Sequence, residues 1–426
     1  MMRPNGRVFK DERVTIMAFG LTKKELSWVL YDVGNSAFVM LSTALIPVYF
    51  ASIADPGSSV VVAWGYAETV ASLVLALLMP VLGSLADLAG NKKKFLVGFA
   101  GTGAVACAAL GIPEHALAFL VVYVIAAIML NGSMVFYDAF LVDATTEERY
   151  DKVSSHGYAW GYIGSCIPFI ACLAVVLGGS SFGIDAKLGM KIAFIITAAW
   201  WVVFTVPVAK NVKQLHGKKR SDHVLRTTIS GLKGTVKSIV KDKRLLFFML
   251  AFFFYIDGVH TVIKMSTSYG TDLGIDSTQL VLALLVTQFV AFPSAIAYGN
   301  LAKRFGTKRM LKVGVLAYFF IVLFAAFFLK SAVEFWILAI CVGLFQGGIQ
   351  ALSRSEYGKL IPKERANEYY GFFDIFGKYA AVMGTFLVSA FTQLTGSSSL
   401  GVLSIALLFI VGFLFLRAMP AMLGDS

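Results

Sequence analysis

The sequence predicts an all-α polytopic membrane protein with 12 transmembrane helices, arranged as two six-helix bundles related by an internal repeat. Three observations support this fold class: the composition, a series of long apolar runs, and a constant offset that aligns the second half with the first. The chain has 426 residues, of which 58% are hydrophobic and 15% are charged. A soluble domain carries about 25% charged residues, so the composition alone indicates a membrane protein.

Each apolar run is long enough to cross a bilayer, because about 20 apolar residues in a helix span a hydrocarbon core of roughly 30 Å. The four cysteines fall within these runs without disulfide or zinc spacing, so neither a metal nor another cofactor is expected. The predicted spans lie at 26–53, 60–82, 95–112, 116–141, 157–178, 190–209, 245–266, 278–298, 310–329, 332–355, 371–394 and 398–417.

The net charge of +12 reflects topology and does not indicate nucleic-acid binding. If alternate loops are assigned to one side, starting with the N-terminus, that side holds 31 of the 37 Lys and Arg residues and the other holds 3. The positive-inside rule then predicts that both termini are cytoplasmic. The short loops favour a bacterial inner membrane, and a monomer embedded in the lipid bilayer is expected.

The longest loop divides the chain into an N-terminal six-helix bundle (1–209), a cytoplasmic linker (210–244) and a C-terminal six-helix bundle (245–426). Within the linker, apolar residues recur every three or four positions with basic residues between them. This pattern predicts a basic amphipathic helix lying on the anionic leaflet, or a solvated linker helix.

An offset of 216 residues brings the halves into register. "GSLADLAGNKK" (83–93) aligns with "GNLAKRFGTKR" (299–309), and "TTEER" (145–149) aligns with "IPKER" (361–365). Parallel six-helix repeats are a transporter architecture, in which the halves rock against each other around a site near the midplane.

The first of these segments resembles the signature loop of the major facilitator superfamily, between the second and third spans. A glycine there permits close helix contact, and a second permits positive φ in a tight turn. An acidic residue can hold a neighbouring helix N-terminus or a basic partner, and such bonds can form in one conformation and break in the other. A solvated basic turn is the alternative. The second copy has Lys303 in place of Asp87, which predicts that it lacks an acidic latch. The gate candidates from the two loops are Gly83, Asp87, Gly90, Lys92, Lys93, Gly299, Gly306, Lys308 and Arg309.

The resemblance narrows to one branch of that superfamily. The segments "YDVGNSAF" (31–38), "FYDAFLVDAT…ER…VSSHGYAWGYIG" (136–164), "YIDGVHT" (255–261) and "GGIQALSRSEYGKLIPKERANEYYGFF" (347–373) resemble the autophagy vacuole effluxers and their bacterial relatives. That resemblance implies the major-facilitator fold. By analogy with the fungal members, it also implies export of amino-acid-like solutes.

The seventh span carries Asp257, His260 and Lys264, whose spacing places them on one helical face. Ionisable residues inside a span are functional candidates by default. Asp257 with His260 could carry a proton or bind an amine, and Lys264 could hold a carboxylate. The alternative is a structural salt bridge between Asp257 and Lys264. Gln350, Asn35 and Tyr31 complete the substrate candidates.

A second polar set lies nearer the cytoplasmic ends of the first, fourth, tenth and eleventh spans. We expect these residues to form a charge-paired gate, with Asp32 pairing with Arg354; binding of a substrate carboxylate is an equal alternative for Arg354, because its fork binds two oxygens. The gate candidates from this set are Asp32, Asp138, Arg354, Asp374 and Lys378.

The sequence contains no nucleotide-binding loop, metalloprotease motif or nucleophile elbow, so it predicts neither an ATP-driven pump nor an enzyme. The leading hypothesis is a secondary transporter of a small organic solute, with or without proton coupling. A sugar, peptide or lipid-linked cargo is the alternative, as is a non-transporting sensor with the same fold.

Overall fold

The computed structural model describes residues 18–54, 60–218 and 224–420, and these residues are almost entirely helical. Side chains are described for most of them, with gaps that include 224–232 and 378–382. Fifteen α-helices are present in these ranges: α1 (Lys23–Ala44), α2 (Ile46–Ile53), α3 (Val60–Ala86), α4 (Lys92–Ala109), α5 (Ala116–Ala139), α6 (Leu141–Ala144), α7 (Tyr150–Gly178), α8 (Ala186–Asn211), α9 (Val224–Lys241), α10 (Lys243–Asp272), α11 (Ser277–Phe305), α12 (Thr307–Phe328), α13 (Ala332–Leu360), α14 (Ala366–Thr395) and α15 (Ser398–Ala418).

Each predicted span coincides with a helix or, for the first, with a bent pair. α1 and α2 meet at Leu45 with a 44° bend, and Pro47 lies in the first turn of α2. Proline is favoured at a helix start and cannot continue the hydrogen bonds of a preceding helix, which explains why the predicted single span is broken here. In the described ranges, nine helices are long and apolar enough to cross a membrane, or ten if the bent pair counts as one.

The other two predicted spans, the third and the eleventh, coincide with α4 and α14. α4 ends at Ala109, three residues before the predicted end of its span, whereas α14 covers its predicted span completely. Both helices carry charged residues in their first turns, Lys92 in α4 and Glu368 in α14. Several helices also extend beyond the apolar runs: α7 begins at Tyr150 instead of 157, and α13 continues to Leu360 instead of 355. These extensions carry most of the polar contacts described below.

The helices form two bundles of six long helices each: α1, α3, α4, α5, α7 and α8, with the short α2 and α6 between them, and α10 to α15. The bundles meet where α3 packs against α14 and where α7 packs against α11. The 216-residue offset maps α3 onto α11 and α14 back onto α7, so the two contacts are equivalent. α13 against α7 and α5 against α14 form a second equivalent pair. The structure therefore confirms the two related bundles predicted from the sequence.

The α3–α4 and α11–α12 turns, the start of α7 and the start of α14 all lie at one end of the bundles, which we call the basic end. Local chemistry fixes the turns there. Gly90 (φ 83°) and Gly306 (φ 87°) occupy the equivalent left-handed position in the two repeats, a conformation that favours glycine. At the start of α1, Thr22 and Glu25 form a reciprocal capping box.

Candidate functional site

Arg354 on α13 is the centre of the polar contacts between the two halves. Its side chain is only 1% exposed, and its guanidinium lies 2.9 Å from Asp138 Oδ1 and 3.4 Å from Asp32 Oδ2. Both carboxylates belong to the N-terminal half, on α5 and α1. Arg354 also donates to Ser154 Oγ and to the Ser154 carbonyl on α7, so most of its donors have a partner. A buried charge is tolerated only when it is paired and hydrogen-bonded in this way.

Three aromatic rings of the N-terminal half enclose the same guanidinium. The Arg354 Cζ atom lies 4.3 Å from the ring centroid of Tyr158, 4.7 Å from that of Trp28 and 5.3 Å from that of Tyr137. All three distances fall within the range of cation–π attraction. The Tyr137 hydroxyl donates to Asp32 Oδ2 at 2.8 Å and thereby orients that carboxylate.

Gly157 makes room for this arrangement. A Cβ atom at this position of α7 would lie 2.7 Å from Asp32 Oδ2 and 2.8 Å from Arg354 Nη2. No side chain fits there without displacing either the acid or the guanidinium. We name the guanidinium-binding group of the N-terminal half the cage; its members are Trp28, Asp32, Tyr137, Asp138, Ser154, Gly157 and Tyr158.

Asp138 and Arg354 are equivalent positions of the repeat, since they are 216 residues apart. Glu147 and Lys363 are also equivalent, and they form an ion pair of 3.4 Å at the basic end. Two residues related by a twofold operation contact each other only when they lie close to its axis. Both pairs therefore lie on the pseudo-twofold axis that relates the halves, and we call them the axial pairs. Asp138–Arg354 is the buried axial pair, and Glu147–Lys363 is the exposed axial pair.

A first latch joins α3 to the start of α14. The Asp87 carboxylate accepts hydrogen bonds from the Asn367 N–H (2.9 Å), the Asn367 side chain (2.8 Å) and the Glu368 N–H (3.1 Å). Burial raises the pKa of Asp87 to about 6, and the Lys92 ammonium and the Asn367 donors limit that rise. Asp87 is therefore mostly ionised at pH 7 and can cap the positive end of α14.

A second latch occupies the equivalent place on the other side of the axis. The sequence predicts no acid here, because Lys303 replaces Asp87; the structure supplies one from the opposite half. Asp151 on α7 accepts from Thr307 Oγ1 (2.7 Å), Ser355 Oγ (2.6 Å) and Lys359 Nζ (2.8 Å). Asp151 is the repeat equivalent of Asn367, so the N-terminal half supplies the acid in both latches, from the end of α3 in the first and from the start of α7 in the second.

Both signature glycines lie directly under these latches. A Cβ at Gly83 would lie 2.6 Å from the Asn367 carbonyl oxygen, and one at Gly299 would lie 2.6 Å from Ser155 Oγ. Glycine is thus required for the two halves to approach at the basic end. In contrast, a Cβ at Gly98 on α4 would meet no atom within 4 Å.

We expect Gly83→Val to disfavour closure of the basic end. Overpacking costs about 1–3 kcal/mol, which corresponds to a shift of roughly five- to 150-fold away from the closed arrangement. Accessibility of a cysteine placed at Ser84, which is 5% exposed, to a membrane-impermeant thiol reagent should increase accordingly. Gly98→Val is the matched control and should leave the labelling rate unchanged; equal rates in the two variants would contradict this role of Gly83.

Glu368 connects the linker to the first latch, and the sequence analysis missed it. The carboxylate pairs with Lys218 at 2.7 Å and with Arg365 at 2.9 Å, and it accepts from Thr235 of α9. Burial raises the pKa of Glu368, but the hydrogen bonds from Arg365, Lys218 and Thr235 outweigh this and lower it overall. Glu368 lies within the fourth segment that resembles the family (347–373), and this resemblance was the signal that could have identified it. Part of the amphipathic face predicted for the linker, including Leu225, Ile229 and Leu232, lies outside the described side chains.

Lys92 is not at the interface between the halves. It is fully buried in the N-terminal half, where its ammonium lies 2.6 Å from Asp143 Oδ2. The other Asp143 oxygen accepts from the backbone of Leu215 and His216, so this pair fixes the start of the linker. Lys93 is half-buried and Arg309 is exposed. Lys308 donates to the Met419 carbonyl, within the C-terminal half.

Asp257 lies away from the basic end, at about the middle of α10. It is fully buried, and Oδ1 accepts from the Gly384 N–H at 2.9 Å and from Thr261 Oγ1 at 3.2 Å. Oδ2 is buried without a hydrogen-bond partner among the described residues. Lys264 is exposed, and no ion pair between it and Asp257 is present in the described part of the chain. The structure therefore does not support the alternative prediction of a salt bridge between Asp257 and Lys264.

The remaining candidates are placed as follows. His260 and Gln350 are half-buried on α10 and α13, and Asp374 is half-buried on α14 near Asp138. Tyr31 and Asn35 are buried inside the N-terminal half, where the Tyr31 hydroxyl donates to Ser133 and the Asn35 amide donates to the Tyr31 carbonyl. The side chain of Lys378, the remaining gate candidate of the second polar set, lies outside the described side chains.

Two related six-helix bundles that meet through equivalent latches define a membrane transporter of the major facilitator superfamily (MFS). The crystal structure of FucP, an MFS transporter in the outward conformation, matches with a TM-score of 0.72 at 14% identity, over 94% of this chain and 99% of FucP. The human organic anion transporter MFSD10 matches with a TM-score of 0.70 at 14% identity, over 92% and 98% of the two chains. These likenesses establish the fold.

The chain belongs to the family of proteins like the vacuole effluxer Atg22, whose model matches residues 58–143 and 142–424. The uncharacterized MFS-type transporter YxiO of Bacillus subtilis (strain 168) is 46% identical over 408 residues, covering 94% of this chain and 95% of YxiO. Autophagy-related protein 22 of Cryptococcus neoformans var. neoformans serotype D (strain JEC21) is 26% identical over 283 residues, 61% of this chain and 48% of the fungal protein. The resemblance predicted from the sequence motifs is confirmed.

Proposed function

We propose that the protein moves a small, amino-acid-like organic solute across a bacterial inner membrane by alternating access. The observation that carries this proposal is the pair of axial contacts between equivalent residues of the two halves. Contacts on the axis break or form together when one half rocks against the other, which is the motion that alternating access requires.

The charge distribution supports the orientation. The basic loops lie at the end where the latches close, and the positive-inside rule places that end in the cytoplasm. In this arrangement the structure represents a state closed toward the cytoplasm. The amino-acid-like substrate class rests on the family, whose fungal members are vacuole effluxers, and on the polar groups near the middle of the helices.

Proton coupling is part of the proposal, with Asp257 as the proton carrier. A carboxyl group inside a span is expensive to ionise and therefore exchanges protons readily when its surroundings change. One Asp257 oxygen is held by α14 through Gly384, and the other is buried without a partner among the described residues. Movement of α14 relative to α10 would alter the cost of ionising this group.

Reconstituted vesicles test the proposed function. We expect counterflow exchange of at least one member of a panel of amino acids and amines, and accumulation of that solute when a pH gradient is imposed. Accumulation that does not respond to the gradient would contradict the coupling but leave transport intact. Absence of exchange for every member of a broad solute panel would contradict transport itself.

A further inference from the structure

The buried surroundings of Arg354 resemble a ligand-binding site that is occupied by the protein's own side chain. Two carboxylates and three aromatic rings surround one guanidinium, and Gly157 leaves the space that the group fills. Aromatic cages with carboxylates are a common means of binding organic cations. Metal ions such as Mg²⁺ and Ca²⁺ instead require a shell of about six or more oxygen ligands.

The cage and its occupant belong to different halves. Trp28 and Asp32 lie on α1, Asp138 on α5 and Tyr158 on α7, whereas Arg354 lies on α13. α1, α5 and α7 pack within the N-terminal half. When the halves separate at the basic end, Arg354 is withdrawn with α13 and the cage stays assembled.

Withdrawal of Arg354 leaves two carboxylates facing each other in a desolvated site. Asp32 is 4% exposed and the Asp138 side chain is 17% exposed in the closed arrangement, and Asp374 on α14 also faces Asp138. Removing the counter-charge from buried acids is strongly unfavourable. The open arrangement therefore requires a replacement positive charge, and a ligand that binds only this arrangement shifts the equilibrium toward it.

We propose that the cage is the cytoplasmic-side binding site for a small organic cation bearing a guanidinium or primary ammonium group, and that Arg354 occupies the site of that group in the closed state. The assignment rests on the proposed function and names its substrate class. Arg354 then competes with the substrate: solute binding at the cage holds the basic end open, and solute release lets Arg354 return and the latches close.

Direct binding tests the cage. The full-length protein with Arg354→Ala, held in lipid nanodiscs, should bind agmatine, a small guanidinium compound with a primary amine. Adding Asp138→Asn to this variant should weaken binding by at least about tenfold, since a charge-assisted pair to a desolvated acid is lost. Arg417→Ala, which removes an exposed arginine at the end of α15, is the matched control and should not create an agmatine site.

Counterflow with the unmodified protein provides the second measurement, so that a misfolded Arg354 variant does not decide the question. We expect agmatine or arginine to exchange faster than leucine. Exchange of leucine without competition by agmatine would overturn the cage assignment while the transport function stands, as would a folded Arg354→Ala variant that does not bind agmatine. If no solute exchanges at all, the proposed function fails, and the substrate assignment fails with it. If solute exchange depends on protons but not on the presence of an organic cation, then a proton supplies the replacement charge. That result would overturn the assignment of the cage as an organic-cation site.

Discussion

Exchanging the charges of the buried axial pair is expected to restore closure of the basic end, which either single change disrupts. Arg354→Asp would place three acids together, and Asp138→Arg would place two guanidiniums together, in a site with almost no solvent. Breaking a buried pair costs about 3–5 kcal/mol, which corresponds to a shift of roughly 100-fold or more away from the closed arrangement. Because positions 138 and 354 are equivalent in the repeat, the double variant D138R/R354D keeps opposite charges at matched places on the axis. The labelling rate of a cysteine placed at Ser84 should therefore return to within about tenfold of the original rate, whereas cation binding at the cage should not be restored, because the guanidinium at position 138 then occupies the cage.

The exposed axial pair provides the matched control. Glu147 and Lys363 are also repeat equivalents, but their side chains are 46% and 36% exposed. Exposed ion pairs contribute about 0–1 kcal/mol, so E147K and K363E should each change the labelling rate at the Ser84 cysteine by only a few-fold. A near-normal labelling rate in both single variants of the buried pair would show that this pair does not govern movement of the halves.

Asp257→Asn is expected to abolish solute accumulation driven by a pH gradient while preserving exchange of solute across the membrane. Asparagine keeps the shape of the side chain and the Oδ1 acceptor for the Gly384 N–H and the Thr261 hydroxyl. It cannot ionise, so the site behaves as if a proton were permanently bound. The halves can then still rock with solute bound, but the imposed gradient no longer drives the cycle.

Vesicles loaded with solute separate these two activities. Accumulation should fall to the equilibrium level in the Asp257→Asn variant, while counterflow should stay within about threefold of the original rate. Thr261→Val is the control, because it removes one hydrogen bond to the same carboxyl and leaves its charge; such a bond contributes only about 1 kcal/mol. Full gradient-driven accumulation in Asp257→Asn would refute the assignment of Asp257 as the proton carrier.

The helical architecture could be predicted from the sequence, because a segment of about 20 apolar residues in a bilayer must satisfy its backbone hydrogen bonds internally, and a helix does so. The repeat could also be predicted, because few other residues can replace glycine at close helix contacts and in tight turns. Gly83 and Gly90 therefore match Gly299 and Gly306. The bend at Leu45 was harder to predict. Proline occurs within four longer helices without ending them, at Pro80, Pro168, Pro207 and Pro293.

The partners within the site could be predicted only in part. Depth along the helices predicted that Asp32 and Arg354 would be neighbours, and they are in contact, but Asp138 is the closer partner. Which acid lies nearer depends on the rotation of α1 and α5 about their axes, and composition does not specify that rotation. The second latch was missed because its acid, Asp151, comes from the opposite half. The sequence repeat pairs equivalent residues, but only the three-dimensional structure shows contacts between non-equivalent residues of the two halves, such as Asp151 with Lys359.

The central claim is that the two halves rock against each other about an axis in the membrane plane, perpendicular to the pseudo-twofold axis that the axial pairs mark, so that one end opens as the other closes. Spin labels at Glu147 and Lys363 report on the basic end, and labels at Leu177 and Leu394 report on the opposite ends of α7 and α14. All four side chains are exposed, and the native Cys107, Cys166, Cys172 and Cys341 would be replaced first. Distances measured by pulsed electron paramagnetic resonance should change in opposite directions when Gly83→Val is introduced, longer at the basic end and shorter at the other. Lengthening at the basic end with no change at the opposite end would show that the halves splay apart, and would contradict alternating access about this axis.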